Sequence, residues 1–203
     1  MGAVLRTSRP ATLAVGTVLL VVLVLAVALV WRATGDEGRA STRTAPYDDL
    51  RSAGLLTLCG ADGTPVTGGS VTDRPFADLV VGETGFPEGL DTTGAVATLY
   101  AYQPRQGVGT EEFSGTALTA AEVLGDPERP AAQVTDGAWS IGDFVAAFPA
   151  TWDGHVQLRL YLGTPEAGTL TTSPYDTADV RVEGGRWELV RGGSASCADA
   201  TDH

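Results

Sequence analysis

The chain has no lysine, and its 203 residues include only two histidines and two cysteines. All 13 basic residues are therefore arginines, and the 25 acidic residues outweigh them, so the formal net charge is −12 at pH 7. Proteins that bind nucleic acids use basic side chains to displace counterions from the phosphate backbone. The charge balance therefore predicts that nucleic acid is not a partner.

The sequence motifs of common catalytic sites are also missing. There is no Gly-x-Ser-x-Gly, no His-Glu-x-x-His, no phosphate-binding glycine loop and no Asp-x-Asp-x-Asp-Gly calcium loop. His155 follows a turn at residues 152–154, which predicts an exposed structural histidine, and His203 is the last residue. The adjacent Glu111 and Glu112 leave glycoside hydrolysis open as an alternative, because that chemistry needs only two suitably spaced carboxylates. We expect no catalysis, no cofactor and no metal.

One long apolar segment contrasts with this acidic composition. Residues 11–31 carry no charge, and as a helix they would span about 31 Å, close to the thickness of the hydrocarbon core of a bilayer. Trp31 and Arg32 form the aromatic and cationic pair that is typical of a helix end at the membrane surface. The pattern predicts a retained transmembrane helix after a cytoplasmic tail of residues 1–10, and a cleaved signal peptide is the alternative.

Beyond the predicted helix, residues 32–46 lack apolar periodicity and favour small and polar types, which indicates a flexible linker. Residues 47–203 then form one predicted domain. Arginines flank the apolar segment on both sides, so the positive-inside rule does not fix the orientation. The size of the domain and its two cysteines predict that it lies outside the cytoplasm, anchored to the plasma membrane.

Alternating side chains indicate strands in this domain. Residues 155–162 place four aliphatic side chains on one face and polar or aromatic ones on the other, and residues 95–102 predict a second strand. Residues 178–183 and 186–190 flank Gly184-Gly185, the spacing of a two-residue hairpin, with Val180, Val182, Trp187 and Leu189 facing the core. Further strands are predicted at residues 55–59 and 66–72, and short helices at residues 47–53, 120–124 and 140–148.

Many short strands, 26 glycines and 11 prolines predict a mainly β domain. We expect an Ig-like or transthyretin-like β-sandwich with short helical insertions, preceded by the transmembrane helix. Cys59 and Cys197 lie near the two ends of the domain, and in an exported domain they predict one structural disulfide. Aromatic residues concentrate around residues 100–152, and those that would offer an interaction surface are Tyr100, Tyr102, Phe113 and Trp139.

Three segments carry a resemblance to membrane-anchored exported proteins of actinobacteria. They are ATLYAYQPRQGVGTEEFSGTAL at residues 97–118, FVAAFPATWDGHVQLRLYLG at residues 144–163, and the closing Cys197. CGADGTPVTGGSV at residues 59–71 is similar to the first strand and turn of carboxypeptidase-regulatory and transthyretin-like modules. The resemblance implies export and a β-sandwich, but it implies no activity.

These observations predict a membrane-tethered binding or interaction module of the cell envelope. Its partners would be the membrane, through the predicted helix, and an envelope protein or a glycan. An envelope hydrolase is one alternative, and an accessory subunit of a membrane complex is another.

Overall fold

The computed structural model describes residues 44–123 and 125–198. Within them the chain is mainly β, with eleven strands, one α-helix and one short 3-10 turn at Thr110–Glu112. The elements are β1 (Ser52–Cys59), β2 (Gly68–Ser70), β3 (Leu79–Gly82), β4 (Val96–Gln103), β5 (Ser114–Ala117), β6 (Glu122–Val123), β7 (Ala131–Gln133), α1 (Ile141–Ala147), β8 (His155–Thr164), β9 (Gly168–Thr169), β10 (Tyr175–Glu183) and β11 (Arg186–Arg191).

The strands form one sheet whose main path runs in the order β5-β4-β8-β10-β1-β3-β7. β11 pairs with β10 and β2, β6 pairs with β4, and β9 pairs with β8. Every strand pair among the described residues is antiparallel except β1 with β10, which run parallel. The two longest strands, β8 and β10, therefore lie next to each other in the middle of the sheet.

β1 changes neighbours along its length. Its first half pairs with β10, and residues Leu56 to Cys59 pair with β3. β1 thereby connects the part of the sheet around β10 with the part around β3. The main core contains side chains from both parts. The buried members of this core with the largest side chains are Leu56, Leu58, Phe76, Leu99, Ile141, Phe144, Leu158, Leu160 and Trp187.

The alternation predicted for β8 is confirmed, but both of its faces are buried. Val156, Leu158 and Leu160 lie in the apolar core. On the opposite face Gln157 is fully buried and Arg159 is 2% exposed. The second face is thus an interior of its own, and it is polar.

The predicted hairpin is confirmed as β10 and β11. Gly184 and Gly185 connect the strands with φ values of 58° and 80°, the left-handed conformation that a two-residue type I′ turn requires and that glycine adopts without steric cost. The register pairs Val182 with Trp187 and Val180 with Leu189. Val182 and Leu189 pack against the main core, which contains the other two side chains, as predicted.

The predicted helix at residues 140–148 is confirmed as α1. The Ser140 hydroxyl accepts a hydrogen bond from the Asp143 backbone N–H at 3.1 Å, and the Asp143 carboxylate accepts from the Ser140 backbone N–H at 2.8 Å. This reciprocal capping box satisfies donors at the start of the helix. The hydrogen bonds from Ser140 hold the pKa of Asp143 below its usual value, with Arg74 as a further cause.

Two predicted helices are wrong. Residues 47–53 are not helical, because β1 already begins at Ser52 and the segment before it folds over the polar face of the sheet. Residues 122 and 123 of the segment 120–124 form β6, whose backbone pairs with the start of β4. The strand predicted at residues 66–72 is present only as the three residues of β2, which pair with β11.

Several sequence-based predictions concern residues outside the described part of the chain. They are the cytoplasmic tail at residues 1–10, the transmembrane helix at residues 11–31, and the linker as far as residue 43. Within residues 44–123 and 125–198, no helix is long and apolar enough to cross a membrane.

Candidate ligand-binding pocket

A cavity of about 350 Å³ opens where β8 and β10 meet the β3–β4 and β9–β10 loops. Its volume lies in the range of small-molecule sites, which are mostly apolar concavities with a few placed polar groups. Most of its lining is apolar and comes from Phe86, Pro130, Leu160, Leu162, Leu170 and Pro174. We call this cavity, with Asp176 among its lining residues, the Asp176 pocket.

The pocket has a buried base and an exposed rim. Leu160 is 1% exposed and Asp176 is 3% exposed, and both line the cavity. Pro87, Glu88 and Pro174 also line it but are exposed. A ligand that entered from solvent would therefore pass a rim with one carboxylate and reach a second carboxylate at the base.

The carboxylate of Asp176 is only half satisfied. Its Oδ2 accepts hydrogen bonds from the backbone N–H groups of Glu83 at 2.6 Å and Thr84 at 2.7 Å. Its Oδ1 is buried and has no hydrogen-bond partner among the described residues. Burial of a polar group without a partner costs about 1–3 kcal/mol, and more for a charged group. Such an acceptor beside a cavity suggests a site that binds a donor.

Two glycines make room for this carboxylate. A Cβ at Gly54 would lie 2.6 Å from Oδ1 of Asp176, and a Cβ at Gly82 would lie 2.7 Å from Oδ2. Real Cβ atoms essentially never approach other atoms within 3.0 Å. Any other residue at either position would therefore push the carboxylate out of place, so the sequence at β1 and β3 permits its burial.

The composition of the lining limits the chemistry that the pocket can perform. Among the described residues that line it, Asp176 and Glu88 are the charged ones, and neither histidine nor cysteine is present. No group of three or more His, Cys, Asp or Glu within the described residues could hold a metal ion. The arrangement is suited to holding an apolar molecule by one hydrogen-bond donor or positive charge.

A second polar cluster lies on the opposite face of the sheet and surrounds Arg159. The guanidinium lies 4.0 Å from the ring centre of Tyr102 and 4.7 Å from that of Tyr175. It donates through Nε to Gln157 Oε1 at 2.7 Å and through Nη2 to the Thr110 carbonyl at 2.7 Å. We call these five residues the Arg159 cluster. The aromatic ring faces and the hydrogen bonds stabilise the positive charge of Arg159 and offset the cost of burying it.

The segment before β1, residues 47–51, covers this cluster, and we call it the N-terminal strap. Asp49 of the strap accepts hydrogen bonds from Gln157 at 3.0 Å, from the Tyr175 hydroxyl at 3.1 Å and from the Thr110 hydroxyl at 3.1 Å. Burial raises the pKa of Tyr175, so its hydroxyl remains a donor. Because Gln157 connects Asp49 to Arg159, the charges of the strap and the cluster are linked through one amide.

The strap is also fixed at its first residue. The Tyr47 hydroxyl donates to Asp179 on β10, and the Tyr47 ring lies 5.2 Å from that of Phe113 and 5.5 Å from that of Trp152. Asp179 is fully buried and also accepts from Arg191 Nε at 2.5 Å. Burial raises the pKa of Asp179, while Arg191 and the Tyr47 hydroxyl oppose that shift.

The structure brings together three of the four aromatic residues predicted as an interaction surface. Tyr100 and Tyr102 are half-buried and stack with their ring centres 6.3 Å apart. Phe113 is 5% exposed and covers Arg159, which places it in the interior. Trp139 is 39% exposed and precedes α1, at a separate place in the fold. A contact surface at the exposed part of this set stays a prediction.

The remaining predicted residues have mixed outcomes. Cys59 and Cys197 form the predicted disulfide. The prediction that His155 is exposed is wrong, since the residue is 4% exposed at the start of a central strand and its Nδ1 lies 3.2 Å from the Trp152 carbonyl oxygen. Glu111 and Glu112 are exposed, and neither lines the Asp176 pocket.

No protein-family model, curated protein or solved structure matches the chain. The resemblance to exported actinobacterial proteins therefore stays a prediction. Sequence reasoning missed Asp176, although a signal was present. Asp176 has the same phase in β10 as Ala178 and Val180, which are core residues, and an acidic residue at a core position indicates a buried site.

Proposed function

We propose that the chain is a membrane-tethered binding module of the cell envelope, and that its Asp176 pocket accepts an apolar ligand. In this proposal the domain is an Ig-like or transthyretin-like β-sandwich outside the plasma membrane. The observation that carries the proposal is a cavity of about 350 Å³ with mainly apolar walls and a buried carboxylate oxygen that lacks a partner.

Sequence and structure support the location in different ways. The charge-free segment at residues 11–31 supports membrane attachment. The disulfide between Cys59 and Cys197 supports an oxidising compartment, because such bonds are rare in the reducing cytoplasm. The net charge of −12 supports a protein or small-molecule partner rather than a nucleic acid.

Binding is preferred over catalysis because of what lines the pocket. Its walls offer contact area to an apolar body, and the carboxylate at its base offers one strong acceptor. No histidine or cysteine occurs among the described residues of the lining, so the pocket itself contains neither an imidazole base nor a thiol nucleophile.

The experiment measures the affinity of the full-length chain for 2-phenylethanol and 2-phenylethylamine by calorimetry or by NMR titration. A probe with about nine non-hydrogen atoms and roughly 0.5 kcal/mol per atom binds with a Kd of about 0.5 mM. The variant Ala53→Trp places an indole at the pocket, because Ala53 is an exposed lining residue on β1. Ala61→Trp makes the same change at an exposed turn outside the lining and is the matched control.

We expect Ala53→Trp to weaken the binding of both probes about tenfold or more, because the indole occupies their volume. The control variant should bind like the wild type. If neither probe binds the wild type at concentrations of several millimolar, or if Ala53→Trp binds them unchanged, the proposed function is wrong.

A further inference from the structure

We propose that the Asp176 pocket selects ligands that join an apolar body to a protonated amine, with the ammonium group paired with the carboxylate of Asp176. This inference rests on the proposed function, because it names the ligand class of the same pocket. Three separate features of the site carry it: the unpartnered oxygen, the shape and composition of the walls, and the charges around the cavity.

The unpartnered oxygen determines the polarity of the ligand. Oδ2 of Asp176 accepts from two backbone N–H donors, and Oδ1 has no partner among the described residues, so the carboxylate keeps the capacity to accept from a further donor. A carboxylate oxygen accepts hydrogen bonds, and an ammonium group supplies both donors and the opposite charge. A ligand carboxylate would place like charges together at a site that is 3% exposed, where water screens them poorly.

A second acceptor lies beside this oxygen. The Cβ position built on Gly54 is 2.6 Å from Asp176 Oδ1 and 2.6 Å from the Thr84 hydroxyl oxygen. The two oxygens therefore lie within about 5 Å of each other, on either side of Gly54. Thr84 also lines the cavity.

The walls determine the body of the ligand. Leu160, Leu162 and Leu170 form an aliphatic wall next to Asp176, and Phe86 adds an aromatic ring. A dry apolar cavity of about 150 Å³ is enough to hold benzene. The cavity here is about 350 Å³, so a phenyl ring with a short aliphatic arm and an amine can be accommodated. The arm would place the ammonium at the base while the ring lies against the wall.

The charges around the cavity favour a cation. Asp176 at the base and Glu88 at the rim are both acidic, and no arginine occurs among the described lining residues. Arg51 does not line the cavity, but it donates to the carbonyl oxygen of the lining residue Ser173 at 3.0 Å and lies 5.1 Å from the ring centre of Tyr175. Within the lining itself, the two carboxylates therefore face no basic side chain.

The test compares three probes of similar size on the full-length chain: 2-phenylethylamine, 2-phenylethanol and phenylacetate. At neutral pH they carry a positive charge, no charge and a negative charge. We expect the amine to bind about tenfold or more tightly than the alcohol, because a hydrogen bond between charged groups is worth about that factor. Phenylacetate should bind more weakly than the alcohol.

The variant Asp176→Asn identifies the group responsible. The amide oxygen of asparagine can still accept from the Glu83 and Thr84 backbone N–H groups, while its NH₂ replaces the unpartnered oxygen with a donor. We expect the preference for the amine over the alcohol to fall to about twofold or less, with binding of the alcohol retained. Asp136→Asn removes the same charge at an exposed turn and should keep the wild-type preference.

The outcomes separate this inference from the proposed function. If the wild type binds the amine and the alcohol equally, and Ala53→Trp weakens both, the pocket binds apolar ligands and the ammonium selectivity is wrong. The same conclusion holds if Asp176→Asn keeps the wild-type preference for the amine. If Ala53→Trp leaves amine binding unchanged, the amine binds elsewhere and both proposals fail. The comparison of the three probes on the wild type tests the selectivity even if Asp176→Asn does not fold.

Discussion

The disulfide should account for a large part of the stability of the domain. It joins the end of β1 to the C-terminal segment and closes a loop between residues 138 positions apart. Both sulfurs lie in a small apolar cluster with Val81 and Ala131. Replacing both cysteines with alanine removes the crosslink without introducing a polar group into this cluster.

The magnitude follows from the length of the loop. In the chain-entropy treatment, a crosslink over 138 residues lowers the entropy of the unfolded chain by an amount worth about 5 kcal/mol at 25 °C. Domains of this size unfold with a free energy of about 5–15 kcal/mol. The Cys59→Ala/Cys197→Ala variant should therefore lose a third of its stability or more.

Urea unfolding of the full-length chain, followed by tryptophan fluorescence, measures this loss. The variant should also show a larger dependence of the unfolding free energy on urea, because its unfolded chain is less compact. Wild-type protein under reducing conditions is the control, since it keeps the sulfur atoms and loses only the bond. A loss below about 2 kcal/mol in the variant, or reduced wild type as stable as oxidised, would refute the loop-entropy argument.

Two further perturbations test the polar face of the sheet. Arg159→Met leaves the Gln157 amide oxygen and the Thr110 carbonyl without their donor, so the free energy of unfolding measured in urea should fall by about 3–5 kcal/mol. Arg186→Met at an exposed position is the control and should change it by less than about 0.5 kcal/mol. Equal effects of the two variants would contradict the stabilising role of the Arg159 cluster. Because burial raises the pKa of Asp179, its contribution to stability is fully present below the pKa of the unfolded chain and is lost as pH rises through the folded value. In urea titrations, wild type should therefore lose stability relative to Asp179→Asn as the pH rises above about 4, the usual pKa of an unfolded-chain aspartate. A difference in stability that does not change with pH would contradict this assignment.

Local patterns predicted the elements that depend on local rules. The alternation in β8 has a period of two, and its aliphatic residues Val156, Leu158 and Leu160 lie in the core. The hairpin depends on Gly184 and Gly185, whose positive φ values suit the turn. The helix α1 depends on Ser140 and Asp143, which satisfy its first backbone donors. In each case the decisive atoms are within a few residues of each other.

The errors arise where distant residues override local preference. Residues 47–53 have helical composition, but Asp49 gains hydrogen bonds from Gln157 and Tyr175, more than a hundred positions away. The parallel pairing of β1 with β10 likewise joins residues that are far apart in the sequence, so the apolar periodicity of either strand does not predict it. The alternation in β8 predicts a polar face at Arg159 but not its burial, because the residues that bury this face belong to other segments of the chain.

Contacts on both faces of β10 fix the base of the Asp176 pocket. Tyr175 and Asp176 are consecutive on β10 and point to opposite faces, so one backbone segment serves both sites. Tyr175 is fixed by Asp49 and Arg159, and Asp176 is fixed by two backbone N–H groups of the β3–β4 loop. Parallel pairing with β1 at Ser52 and Gly54 holds the same two residues along the sheet. Because these contacts already position the carboxylate, a ligand would spend little binding energy on ordering the site, which is the condition under which one charged hydrogen bond can decide selectivity.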